Sequence, residues 1–206
     1  MNSLLIFVII FFISAIGSTP PGLINMVVLE RSMQAGKKAG VMTALGAFIP
    51  EFAYTFIAVY AFTTINNNVE IGQNIQLAGG LGLVGLATFY FFRKPEEPKI
   101  NYTSTRKDSY RGFRKGFFTA SINMLIVPFW AFIAGYLNTH GYPIVALSDV
   151  IIFALASALG AVLVFLLYVR LGDLILKRLN MVVRYSNTIL ALLFLSLGLY
   201  QLLRIS

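Results

Sequence analysis

The chain contains no cysteine. That excludes a structural disulfide, a thiolate metal site and a thiol redox relay. A single histidine, His140, excludes a histidine-clustered metal centre or a bis-histidine haem. Charge is scarce too: 12% of residues are Asp, Glu, Lys or Arg, against about 25% in a soluble domain. No glycine-rich phosphate loop is present, so ATP hydrolysis within the chain is not expected. What the chain has instead is apolar surface. Of its 206 residues, 58% are hydrophobic, more than core strands of roughly four to eight residues can absorb.

That surplus falls into six runs almost free of charge: 4–29, 39–69, 71–92, 116–137, 150–169 and 185–203. Each lies near the ~20 residues needed to cross a bilayer, and together they leave no room for a separate soluble domain. The expected fold is all-α, a single polytopic membrane domain over 1–206 with six transmembrane helices. The first run resembles a secretory signal only superficially. It has no basic residue before it and is too long for an h-region, so it reads as a retained helix.

The basic residues are placed unevenly. Fifteen of the sixteen Lys and Arg fall in the connections after the first, third and fifth runs, and none around 66–70 or 138–149. By the positive-inside rule those three connections are cytoplasmic and both termini lie outside, with the inner membrane as the expected location. Topology thus accounts for the net charge of +8 better than nucleic-acid binding does. The stretch 93–112, with Pro95, Pro98 and mixed charges, reads as a flexible cytoplasmic linker between halves 1–92 and 113–206. Three spans per half is an odd number, so the halves enter the membrane in opposite orientations, the arrangement of an inverted repeat. The basic and apolar alternation from Arg170 to Arg184 suggests either a short helix lying in the interface or a basic loop that only sets topology.

Four places could carry chemistry. Pro20, Pro21 and Gly22 must break the first helix, because each proline removes a backbone donor and clashes with the preceding turn. Irregular backbone is tolerated in a membrane only where protein buries it or a wet cavity borders it. Asn25, just beyond, could bond a ligand or a neighbouring helix. Glu51, directly after Pro50, is the only charged residue inside a span. A carboxylate at the bilayer centre costs about 3 kcal/mol on insertion scales, so it should face the bundle interior, as a proton carrier or as a structural group. In the fourth run, Asn123 is an amide needing partners, Pro128 is a second helix breaker, and Trp130 is either a site residue or an interfacial anchor. The small residues Gly36, Gly40 and Gly46, and those from Ala154 to Ala161, read as packing surfaces.

The order Pro21-Gly22, Arg31-Ser32, then Gly36, Gly40 and Gly46 resembles the amino-terminal signature of the LysE/RhtB amino-acid exporter superfamily. Phe113, Gly116 and Asn123 resemble its second-half motif. Two departures stand out: Leu23 occupies the place of a common second proline, and Met124-Leu125 replace the Pro-Lys that follows the family asparagine. The resemblance implies a divergent secondary transporter, not an enzyme, that exports amino acids or related metabolites, coupled to protons and needing no cofactor. Its partners would be a small-molecule substrate and the bilayer, with a homo-oligomer left open. A metal-ion or other small-solute transporter is the alternative, although hard cations usually require more than one carboxylate. An intramembrane enzyme is a weaker one, since the spans offer no histidine base.

The topology is directly testable. Reporter fusions at Asn67 and Thr105 should report opposite sides of the membrane, and a common side would defeat the six-span reading.

Overall fold

The computed structural model describes residues 3–65, 69–92 and 109–205. Among them the secondary structure is helical, in eight helices: α1 Ser3–Ser18, α2 Leu23–Ala35, α3 Lys37–Ile65, α4 Val69–Phe92, α5 Ser109–Ser121, α6 Ile126–Thr139, α7 Leu147–Arg170 and α8 Gly172–Ile205. The stretch 93–108, most of the expected linker, lies outside the described residues, and α5 begins four residues before the expected start of the second half.

The six runs map onto these helices with two revisions. The first run is two helices, α1 and α2, meeting at 74° across residues 19–22. The fourth is likewise split, with α5 and α6 meeting at 63°. Two helices, Lys37–Thr64 and Leu147–Arg170, are long and apolar enough to cross a membrane by themselves; each bent pair qualifies when its parts are taken as one span. The remaining pair, α4 and α8, contains shorter apolar stretches, Gly80–Phe92 and Thr188–Leu203. The separate interfacial helix expected between Arg170 and Arg184 is not formed. A bend at Leu171 is followed by one uninterrupted helix of 34 residues, roughly 51 Å at 1.5 Å per residue. No proline or glycine lies between Gly172 and Gly198 to end it.

In lipid the tails are as apolar as leucine, so close contact rather than water exclusion holds helices together, and small residues permit that contact. This chain places them at the helix crossings. A Cβ on Gly46 of α3 would run into the Phe113 carbonyl of α5, and one on Gly116 of α5 into the Thr43 carbonyl of α3. On the other side, a Cβ on Gly160 of α7 would meet the Phe11 carbonyl and Ser14 of α1. Gly80 of α4 and Gly198 of α8 face each other in the same manner. The turn from α2 to α3 is the single residue Gly36, at φ +90°, a backbone region that a side chain disfavours.

The packing repeats with the halves exchanged. α5 lies along α3 and α1 along α7, while α3 crosses α7 and α4 lies against α8. The correspondence holds residue by residue. Gly46 meets Phe113 as Gly160 meets Phe11, and three residues along, Thr43 meets Gly116 as Ser157 meets Ser14.

Replacing Gly46 or Gly116 with alanine forces two helix backbones apart, an overpacking cost of about 1–3 kcal/mol. Thermal unfolding in detergent should show both variants destabilised by several degrees. Gly82→Ala, where nothing lies within 4 Å, should be neutral or slightly stabilising. Equal effects at all three sites would contradict the packing described.

Candidate functional site

The buried interior forms two apolar clusters. One gathers Ile6, Ile10, Val59, Phe62, Trp130 and Phe153; the other gathers Val28, Leu29, Ala47, Ala161 and Phe165. Polar residues lie where one cluster gives way to the other. On α3, Glu51, Tyr54 and Thr55 fall between Ala47 and Ala58; on α7, Ser157 falls between Ala156 and Ala161. The Ser14 hydroxyl of α1 donates to the Ser157 carbonyl at 2.6 Å, and the Thr55 and Ser157 hydroxyls share a bond of 2.8 Å. Three helices are thereby pinned at one level.

Glu51 is 7% exposed, and among the described residues its carboxyl has no hydrogen bond or ion pair. Pro50 precedes it inside α3, so the Gly46 carbonyl lacks its helical donor. A buried carboxyl that no protein group engages differs from the structural alternative raised by the sequence, in which a neighbouring helix would hold it.

The first break behaves otherwise. The Asn25 amide donates to the Ser18 carbonyl at 2.8 Å and the Pro20 carbonyl at 3.1 Å. Tyr168 of α7 donates to the Thr19 carbonyl at 2.9 Å, and the Thr19 hydroxyl to that of Ala15 at 2.8 Å. The carbonyls of Ser18, Thr19 and Pro20 at the break therefore find side-chain partners within the protein. Asn25 is committed to the break itself, which leaves its amide no spare donor of consequence for a ligand.

The second break falls at residues 122–125, ahead of Pro128 rather than at it. Pro128 is the third residue of α6, in the first turn, where a missing N–H leaves no carbonyl unpaired. Tyr54 of α3 donates to the Ser121 carbonyl at 2.6 Å. Asn123 is half-buried at this break, and its side chain has no partner among the described residues. Trp130 is buried rather than placed at the surface as an anchor would be. It is 3% exposed, edge-on to Phe153 at 5.3 Å and Phe129 at 4.9 Å, a core residue. An open cavity of about 330 Å³ at the far end of α3 is lined by Tyr60, Phe62, Thr63, Asn138, Ile144 and Val150, among others. His140 is exposed at the end of α6.

Tyr54 and Tyr168 were not among the residues the sequence singled out. Each ties a break in the opposite half to a long helix, and the spacings agree: Gly46 to Tyr54 and Gly160 to Tyr168 are both eight residues, as are Phe11 to Thr19 and Phe113 to Ser121. That double interval was the available signal. It also sets depth. α3 and α7 are antiparallel, with Thr55 level with Ser157 and Gly40 level with Val169. Tyr168 is then level with about residue 42 of α3, so the two tyrosines lie roughly 18 Å apart along the axis at 1.5 Å per residue. Glu51 falls between them. The two breaks therefore lie at different depths of the bundle, with Glu51 within one turn of Tyr54 on α3.

Two helices long and apolar enough to cross a membrane, and two bent pairs that each qualify as one span, define a multi-pass membrane architecture among the described residues. The family model for LysE type translocators matches residues 15–204, and the chain belongs to that family, as its motifs suggested. No curated protein and no solved structure matches it. The family is one of transporters, and this chain is accordingly a small-solute efflux translocator of the membrane.

The tyrosine bonds should matter in the same way. Tyr54→Phe and Tyr168→Phe each leave one carbonyl short of a donor inside an apolar bundle, costing about 1–3 kcal/mol. Both variants should unfold at lower temperature and change the transport rate. A silent Tyr168→Phe would mean that the bond does not hold the break.

Proposed function

We propose that this translocator exports amino acids or closely related small metabolites across the inner membrane, taking up or giving up a proton at Glu51 in each cycle. In this reading it has six spans in two inverted halves, 1–92 and 113–206, joined by a cytoplasmic linker, with both termini outside. The distribution of basic residues supports the orientation, and the exchanged contacts between halves support the inversion.

The observation that carries the proposal is Glu51 itself. It is buried and unpartnered among the described residues, and the tyrosines that bond the two breaks lie at different depths along α3 and α7. Broken helices at a repeat interface are where such carriers bind cargo and move. Releasing the Tyr168 bond would loosen the inner break; releasing the Tyr54 bond would loosen the outer one. A solute near Glu51 would then reach one side at a time. The hydroxyls of Thr55, Ser157 and Ser14, about one turn from the acid's level, offer polar contacts to it.

Glu51→Gln preserves shape and hydrogen bonding but cannot titrate. It should insert and fold normally, yet in proteoliposomes its efflux driven by a pH gradient should fall at least about tenfold, the scale of a lost proton-transfer step. Solute exchange without a gradient should persist. Glu51→Asp should be partly active, because the carboxyl remains on a shorter arm. Normal export by Glu51→Gln with an unchanged pH profile would assign the carboxyl a structural role.

A further inference from the structure

Arg31 is half-buried, and one edge of its guanidinium is closed off from solvent without a partner among the described residues. Its Nε and Nη2 are shielded, and neither has a hydrogen bond among the described residues. The N–H bonds of these two atoms point the same way, along the edge that grips both oxygens of a carboxylate. Charged groups buried in this way are normally paired, because burying an unpaired charge is costly. The edge thus has the geometry of a carboxylate fork.

Its neighbours fix where it lies. Glu30 is paired with Lys115 of α5 at 3.0 Å. Ser32 is buried against Gly40 and donates to the Val169 carbonyl at 3.4 Å. With both flanking residues committed, α2 holds Arg31 on the stripe that continues through Val28 and Ile24, three and seven residues earlier, both buried in the second apolar cluster. This is the end of the bundle beside the first break, the end from which Lys37, Lys38 and Arg170 also project. Among the described side chains there, Glu30 is the only carboxylate, and Lys115 occupies it. The local field favours an anion.

We propose that Arg31 is the seat for a carboxylate group of the transported solute at the inner end of the translocator, engaged before the solute moves toward Glu51. This rests on the efflux reading and adds to it a recognition residue and the chemical group recognised. It requires the cargo to carry a free carboxylate, and it predicts that the decarboxylated amine is a poor ligand.

The test uses the full-length protein purified in detergent. Its unfolding temperature is measured with each standard L-amino acid, with the decarboxylated amine of any that stabilises, with inorganic phosphate, and with phosphatidylglycerol. At least one amino acid should stabilise the wild type, and its amine should not. Arg31→Lys keeps the charge without the fork, and Arg31→Gln removes both. Each should weaken that ligand roughly 10- to 100-fold, the scale of a charge-assisted bidentate contact. In proteoliposomes Arg31→Lys should raise the KM for efflux while leaving kcat near wild type. The proposal is overturned by equal stabilisation of wild type and Arg31→Gln, by equal binding of acid and amine, by no response to any amino acid, or by a response to phosphate or phosphatidylglycerol alone. Wild-type efflux with an unaltered KM in both variants would remove Arg31 and leave the translocator reading standing. Absence of efflux by the wild type would instead count against that reading.

Discussion

A helix interrupted inside hydrocarbon leaves backbone carbonyls that water cannot reach, and the rest of this structure is arranged around meeting them. Among the described residues two apolar helix pairs are interrupted in this way, at residues 19–22 and 122–125. Each receives a tyrosine hydroxyl from the long helix of the opposite half. Those bonds require α1 to lie close along α7 and α5 along α3, which is why glycine occupies the crossings at positions 46, 116 and 160. The same approach creates the polar level of Ser14, Thr55 and Ser157 between two apolar clusters. Glu51 lies at that transition, buried without a partner among the described residues.

The two breaks are not stabilised equally. The first has Asn25 donating to two of its carbonyls in addition to Tyr168. At the second, Tyr54 supplies the corresponding bond, and Asn123 leaves its amide unused among the described residues. A carrier built from two exchanged halves needs states of similar energy but different shape. Unequal bonding at equivalent breaks provides a bias toward one of them, and the size of that bias is set by a few hydrogen bonds, each worth about 1 kcal/mol.

Much of the fold was legible in the sequence. The apolar runs, the basic asymmetry and the Pro20-Pro21 break follow from hydropathy and proline geometry, which act locally. The small residues around Gly46 and Gly160 read correctly as packing surfaces for the same reason. The second break did not, because no proline marks it. Residues 122–125 break ahead of Pro128, where the chain turns from α5 to α6, and only tertiary contact with Tyr54 identifies the position. The interfacial helix expected before Tyr185 merged into α8, since nothing between Gly172 and the last span interrupts helical bonding. Asn25 and Trp130 were plausible ligand contacts by type, but one caps its own break and the other fills the aromatic core. Tyr54, Tyr168 and the guanidinium edge of Arg31 depend on which helices meet, and hydropathy carries no information about that.

The proposed export cycle requires the two breaks to open to opposite sides of the membrane. The most direct measurement exploits the absence of cysteine. Thr19 and Ser121 contribute backbone carbonyls to the tyrosine bonds, so Thr19→Cys and Ser121→Cys leave those bonds intact. Each single-cysteine protein in sealed vesicles would be exposed to a membrane-impermeant thiol reagent from one side and then from the other. The predicted result is that the Thr19→Cys protein is modified only from the cytoplasmic side, and the Ser121→Cys protein only from the outer side. Modification of both from the same side would contradict it, because the breaks would then open to one side of the membrane only.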